Sequence, residues 1–281
     1  MNAPTADTPA TDTIARLRSA DRIWAIASVH GAAARLAGLV RQIVPRLQPR
    51  DAIVFMGNLI GGPPGGEPPD VAATLDIALR LRRVVLARPG ARACDVVFLR
   101  GAQEEMWSKL DQLHFAVNAR DVLRWMLHHG VGATIEAYGG AGAIAEGLRA
   151  VGAGPMMTAR WTGALRQAVR AHAGHEALYT AIKRAALSDD GRLLFVNHGV
   201  DPTRPLERQG DSFWWGAPQP FEQIAAPFAG VDRAVRGFDR AHPGVVGGPV
   251  GLTIDGGCGF GGPLLTLLLD SGGRELDRLA A

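Results

Sequence analysis

Little in this chain could staple it or anchor it. Its 281 residues include two cysteines, Cys94 and Cys258, far apart and outside any C-x-x-C or Cys/His spacing. That excludes a disulfide framework and a structural zinc module, and fits a reducing, cytoplasmic compartment. Lysine is as rare, at Lys109 and Lys183, so the positive charge is carried by dispersed arginines and the net charge is only +3. There is no basic arm, and nothing demands nucleic acid as a partner. The apolar runs reach at most about ten residues, too short to cross a bilayer, so no membrane partner is expected.

What is present suffices for a large core, since 47% of the residues are hydrophobic. The opening stretch, Met1 to Thr13, is rich in Thr, Pro, Ala and Asp, with neither the positive nor the apolar segment of a secretory signal. Residues 1–20 are read as a disordered tail and residues 21–281 as one folded domain.

Three units follow one another in that domain. Arg22 to Ser28 is an apolar run that stops at His30-Gly31 and leads into a helical pattern from Ala33 to Leu47, with Leu36, Leu39, Val40 and Ile43 on one face. Asp51 to Gly57 is a second run, ending in a Gly/Pro loop to Pro69 before a helix from Val71 to about Val84. Asp95 to Gly101 is the third, followed by a helix from Glu104 to about Leu113. Strand, loop and helix in repetition predict α/β architecture with ligand-binding loops gathered at the carboxyl ends of the strands. The segment at about 121–187 reads as a helical insertion. Beyond Arg192 short strands are predicted at Leu193 to Asn197, Ala234 to Gly237, Val250 to Asp255 and Leu264 to Leu269.

The strand-end loops, in order, read Ser28-Val-His-Gly31, Gly57-Asn-Leu-Ile-Gly-Gly-Pro-Pro64, Gly101-Ala-Gln-Glu104, Asn197-His-Gly199 and Gly237-Phe-Asp239. This series resembles the calcineurin-like metallophosphoesterases of the serine/threonine protein phosphatase and symmetrical diadenosine-tetraphosphatase type. Their motifs are Asp-x-His-Gly, Gly-Asp-x-x-Asp-Arg-Gly-Pro, Gly-Asn-His-Glu, His-Ala-Gly and Gly-His-Thr. The resemblance implies a four-layer αββα sandwich. It also implies two divalent cations held at the positions occupied here by Ser28, His30, Asn58, Ala102, Asn197 and Phe238. Of these only His30 keeps the family's residue type.

A two-metal centre needs carboxylates and imidazoles to balance the cations and turn a bound water into hydroxide. Ser28 and Asn58 are neutral, and Ala102 and Phe238 cannot coordinate. The family's general acid falls on Gln103, which has no proton to give, and its phosphate-clamping arginines fall on Gly62 and about Gly216. The motifs are therefore degenerate, and an inactive pseudophosphatase is expected, with no metal cofactor and with an unknown protein or a phosphorylated ligand as partner. The residual pocket would comprise Ser28, His30, Asn58, Gln103, Asn197, His198 and Asp239.

The alternative is an active phosphoesterase with an altered site, holding manganese or another divalent metal through His30, Asn58 and His198. Alternation along a strand would turn His198 away from Asn197's side and oppose that reading. His30 is expected to be a loop histidine kept by its hydrogen bonds. Asn58, Gln103 and Asn197 could bond a ligand or one another. The aromatic segment Asp211 to Phe228 is expected to pack in the core, the alternative being an exposed docking patch.

Overall fold

The computed structural model describes residues 13–281, so the expected tail at 1–12 lies outside the described residues. In chain order the strands are β1 (Ile14–Leu17), β2 (Arg22–Ile26), β3 (Asp51–Phe55), β4 (Val96–Phe98), β5 (Ala185–Ser188), β6 (Leu193–Val196), β7 (Arg233–Arg236), β8 (Gly244–Gly247), β9 (Gly251–Asp255), β10 (Leu265–Asp270) and β11 (Glu275–Ala280). The helices are α1 (Ala33–Ile43), α2 (Val71–Leu86), α3 (Ala102–Leu110), α4 (Ala119–His128), α5 (Gly132–Gly139), α6 (Ala143–Ala153), α7 (Pro155–Ala171), α8 (His175–Ala181) and α9 (Ser212–Trp215).

The strands make two mixed sheets, one ordered β11-β10-β2-β3-β4 and the other β1-β5-β6-β7-β9-β8. β2, β3 and β4 run parallel, as do β6, β7 and β9, so two sets of strand ends open toward the loops that follow them. β2 and β3 are buried on both faces, as parallel central strands are. Their register is tied from the side: Arg22 Nε and Nη2 donate to the Asp51 carboxylate at 2.8 and 2.7 Å, and Trp24 Nε1 donates to it at 3.1 Å.

The largest core lies between the sheets and under α1 and α2, joining Trp24, Phe55 and Leu267 to Phe195, Val235 and Ile254. α1 turns Leu36, Leu39 and Ile43 inward, while α2 starts at Asp70, whose carboxylate accepts the Ala73 N–H at 3.0 Å. A second core backs the other sheet, where Phe213, Trp214, Phe221, Ile224 and Phe228 cover Leu194, Val196 and Ala234. That outer layer is an irregular segment with 3-10 turns and the single turn α9. Phe213, Trp214, Phe221 and Phe228 are buried, as expected for core packing, while Trp215 is half-buried and lines a cleft. A third core holds α3 to α7 together around Leu123, Ile135, Trp161 and Leu165.

Two expected boundaries are corrected. Residues 14–17, placed in the tail, form β1, because Leu17 buries to 1% exposure while the strand pairs in parallel with β5. The helical segment expected at 121–187 ends with α8, and β5 takes over at Ala185, where all four residues are buried in the sheet. Among the described residues no helix is long and apolar enough to cross a membrane.

Candidate functional site

Five strand-end loops meet at one end of the sandwich, and backbone bonds lace them together across the two sheets. Ser28 N–H donates to Gly237 O at 3.0 Å, His30 N–H to Asn58 O at 2.7 Å, and Phe238 N–H to Asn197 O at 2.9 Å. The contact is close enough that a Cβ on Gly57, at φ +86°, would lie 2.7 Å from Gly101 N and 2.9 Å from Asn197 Nδ2. Glu104, the last residue of its loop motif, is buried in α3. Its carboxylate accepts the N–H groups of Asn58, Leu59, Ile60 and Gly101 at 2.8, 2.7, 3.3 and 2.8 Å. Burial raises its pKa, and those backbone bonds oppose the rise.

Ser28, Asn58 and Asn197 come together, each at most 1% exposed, and of the three only Asn58 lines the cleft described below. Asn58 Nδ2 donates to Ser28 Oγ at 3.3 Å and to Asn197 Oδ1 at 3.4 Å. Asn197 Nδ2 donates to Ser28 Oγ at 3.3 Å and to Met56 O at 2.7 Å. Asn58 Oδ1 accepts the Gln103 backbone N–H at 3.1 Å. The amides are thus satisfied by one another and by the backbone. Gln103 turns its own side chain to His129 O, to which Nε2 donates at 2.7 Å.

His30 departs from the expectation. It is buried, at φ +50°, yet neither ring nitrogen has a hydrogen-bond partner. Its ring sits between Phe238, with centroids 5.7 Å apart, and Phe260, at 5.2 Å. Desolvation, helped by the charge of His242, pushes its pKa down to about 3, so the imidazole is neutral at physiological pH.

The strand alternation invoked for His198 does not apply, because β6 ends at Val196 and His198 lies beyond it. His198 lines the same cleft of about 220 Å³ as His30 and Asn58, with Nδ1 at 3.1 Å from Phe238 O. Burial lowers its pKa. Asp239 is a correction in the other direction: its carboxylate pairs with Arg236 and accepts the Ala241 N–H at 2.9 Å, and it does not line the cleft. Gly62 is also outside the cleft wall, with its N–H donated to Gly130 O at 3.1 Å.

Among the other wall residues, Arg240, Phe260 and Trp214 were not foreseen as site residues. Only the loop glycines Gly259 and Gly261 flag Phe260 in the sequence, and they carry no chemistry. Among the described residues no group of three or more His, Cys, Asp or Glu side chains converges on one point. The donor set at the strand ends is one hydroxyl, two amides whose N–H groups point inward, and one imidazole flanked by phenyl rings. Such a set does not fit a two-cation centre, which requires anionic oxygens.

No family model and no curated protein matches this chain. Solved structures do. The crystal structure of a "putative diadenosine tetraphosphatase" is similar with TM-score 0.58 and 14% identity, covering 96% of this chain and 98% of the other. A protein serine/threonine phosphatase from Saccharomyces cerevisiae aligns with TM-score 0.48 and 12% identity over 96% of this chain and 83% of its own. The first likeness shows the fold: a mixed α/β sandwich of the metallophosphoesterase kind.

Proposed function

We infer that this chain is a pseudophosphatase, a metallophosphoesterase-fold protein that has lost hydrolysis and serves as a binding or regulatory component for a protein or a phosphorylated ligand. One observation carries the reading. At the strand ends where this fold would gather charge around cations, Ser28, Asn58 and Asn197 form a closed neutral network. Neutral amides spent on one another neither balance divalent charge nor generate hydroxide. Gln103 supplies no acid for a leaving group, and Gly62 supplies no guanidinium.

The competing reading is an active metal-dependent phosphoesterase with an altered site, of the protein phosphatase or dinucleoside-polyphosphate hydrolase type. It draws on His30 and His198, which share the cleft, and on the unpartnered ring nitrogens of His30. Two imidazoles without a carboxylate give it a poor ligand set.

The deciding experiment is elemental analysis after manganese loading, paired with turnover of an aryl phosphate and of diadenosine tetraphosphate on the same sample. The expected result is no stoichiometric metal and no turnover. About one or two metals per chain, with turnover lost in His30→Ala, would overturn the reading and favour the enzyme.

A further inference from the structure

A basic groove lies away from this cleft. Between the outermost strands of the two sheets, β1 and β4, runs an open groove of about 670 Å³. Arg16, Arg18, Arg82 and Arg92 line it, and no acidic side chain does. Arg18 and Arg92 continue into an adjoining hollow of about 270 Å³, whose wall also holds Asp95 and Arg50, the latter paired with Asp21. Among the described residues none of the four groove arginines forms an ion pair. Some arginines elsewhere are matched, as Arg22 is by Asp51, Arg192 by Asp232 and Arg278 by Glu275, and others among the described residues, such as Arg120, Arg149 and Arg208, stand without an ion pair but apart from one another in sequence. In a chain with a net charge of only +3, four arginines thus share one groove whose wall carries no acidic side chain.

Two further features describe the occupant. The groove floor is strand, with Ile14 and Ala15 of β1 on one side and Val96 and Val97 of β4 on the other. An outermost strand presents main-chain donors and acceptors that another extended chain can pair with. The one aromatic residue on the wall, Phe98, is only 3% exposed, so the groove offers no stacking surface for bases. Planar guanidinium forks match carboxylates in bidentate geometry.

We propose that this groove is a docking site for an extended acidic segment of a partner protein, rich in Asp and Glu, which lies along β1 with its carboxylates on Arg16, Arg18, Arg82 and Arg92. The site is independent of the cleft at the strand ends. Long-range attraction by the arginines sets a salt-sensitive association rate, and main-chain pairing with β1 selects a peptide over other polyanions.

The test is fluorescence anisotropy of the full-length protein with a labelled peptide of alternating glutamate and threonine, about eight residues long. Three companion probes are the lysine-for-glutamate peptide, the same acidic peptide N-methylated at alternate residues, and an oligothymidylate of equal charge. The acidic peptide is expected to bind saturably and more weakly as salt rises. Arg16→Glu/Arg82→Glu is expected to weaken it at least about tenfold. The reversal Arg124→Glu/Arg160→Glu, on exposed helix positions outside the groove, is expected to leave it unchanged. N-methylation is expected to weaken binding, and the lysine peptide not to bind. The proposal is overturned by absence of saturable binding, by binding indifferent to the Arg16/Arg82 reversal or to N-methylation, or by oligothymidylate binding tighter than the peptide and losing affinity with the same reversal. The last result would assign the groove to nucleic acid.

Discussion

Asn58 and Asn197, 139 residues apart in sequence, face each other at the ends of β3 and β6 with Asn58 Nδ2 donating to Asn197 Oδ1 at 3.4 Å. Each amide also donates to Ser28 Oγ at 3.3 Å, so three side chains from three loops close a network that carries no formal charge. Changing Ser28 and Asn58 to aspartate would replace donated bonds with facing oxygens and bury charge at positions only 1% exposed. Ser28→Asp/Asn58→Asp is expected to cost about 3 kcal/mol or more in a urea melt at neutral pH. Manganese should raise the Tm of that variant and leave the parent unmoved, because only the variant offers anionic oxygens. Equal responses would break the link between neutrality and the absence of a metal centre.

His30 yields a pH prediction. The unfolded imidazole takes a proton near its ordinary pKa of 6.5, whereas the buried ring does so only near 3. Its folded pKa is thus depressed: the contribution is intact above pH 6.5 and is lost as pH falls from there toward 3. The loss is about 2 kcal/mol at a pH of about 5. His175 and His198, also held low by burial, act in the same direction. His30→Phe keeps a ring between Phe238 and Phe260 and removes two unpartnered nitrogens, so stability at neutral pH should hold or rise. Urea midpoints at neutral and mildly acidic pH are the readout, and a fall in midpoint as steep as the parent's would place the acid sensitivity elsewhere.

The central strands and the helices packed on them were legible because their signals are local. β2 and β3 are apolar runs ended by glycine loops, and α1 carries Leu36, Leu39 and Ile43 on one face. β1, β8 and β11 were not legible. β8 reads Gly-Val-Val-Gly, β11 is charged and mostly exposed beside β10, and β1 follows a Thr/Pro/Asp-rich stretch. All three are terminal strands of their sheets, whose identity comes from a neighbour and not from their own pattern. At the site, Ser28, Asn58 and Asn197 could be placed because each follows a strand by one to three residues. His198 and Asp239 follow β6 and β7 by two and three residues, and spacing does not tell them apart: His198 lines the cleft, while Asp239 turns to Arg236.

Asp239 is accordingly expected to matter for stability and not for the cleft. It pairs with Arg236, a 6% exposed residue whose Nε donates to Thr253 Oγ1 at 2.8 Å and whose guanidinium lies 4.8 Å from the Phe221 ring centroid. Asp239→Asn removes the charge beside a largely buried cation, and a loss of about 3 kcal/mol is expected. Glu222, 3.5 Å from the same guanidinium but 62% exposed, compensates only partly. Denaturant midpoints of Asp239→Asn and Glu222→Gln compare the two, and equal small effects would return Asp239 to the list of site candidates.

Glu104 supports the second loop from beneath, and its removal should loosen the cleft without touching any cleft-facing polar group. Its two carboxylate oxygens take four backbone N–H groups, three of them from the consecutive residues Asn58, Leu59 and Ile60. Asn58 sits in the left-handed region at φ +51°, a conformation the carboxylate helps hold. Glu104→Gln keeps one acceptor oxygen but turns an NH2 group toward donors, leaving buried N–H groups without partners. A destabilisation of about 3 to 5 kcal/mol is expected, with faster hydrogen exchange at Asn58, Leu59 and Gly101 than at the β3 amides. Because Asn58 bridges Ser28 and Asn197, the loosened loop should also expose all three polar side chains. If exchange at Asn58 and Leu59 stayed as slow as in the parent, the loop would be held by its contacts with Gly101 and Asn197, and Glu104 would be only one of several supports.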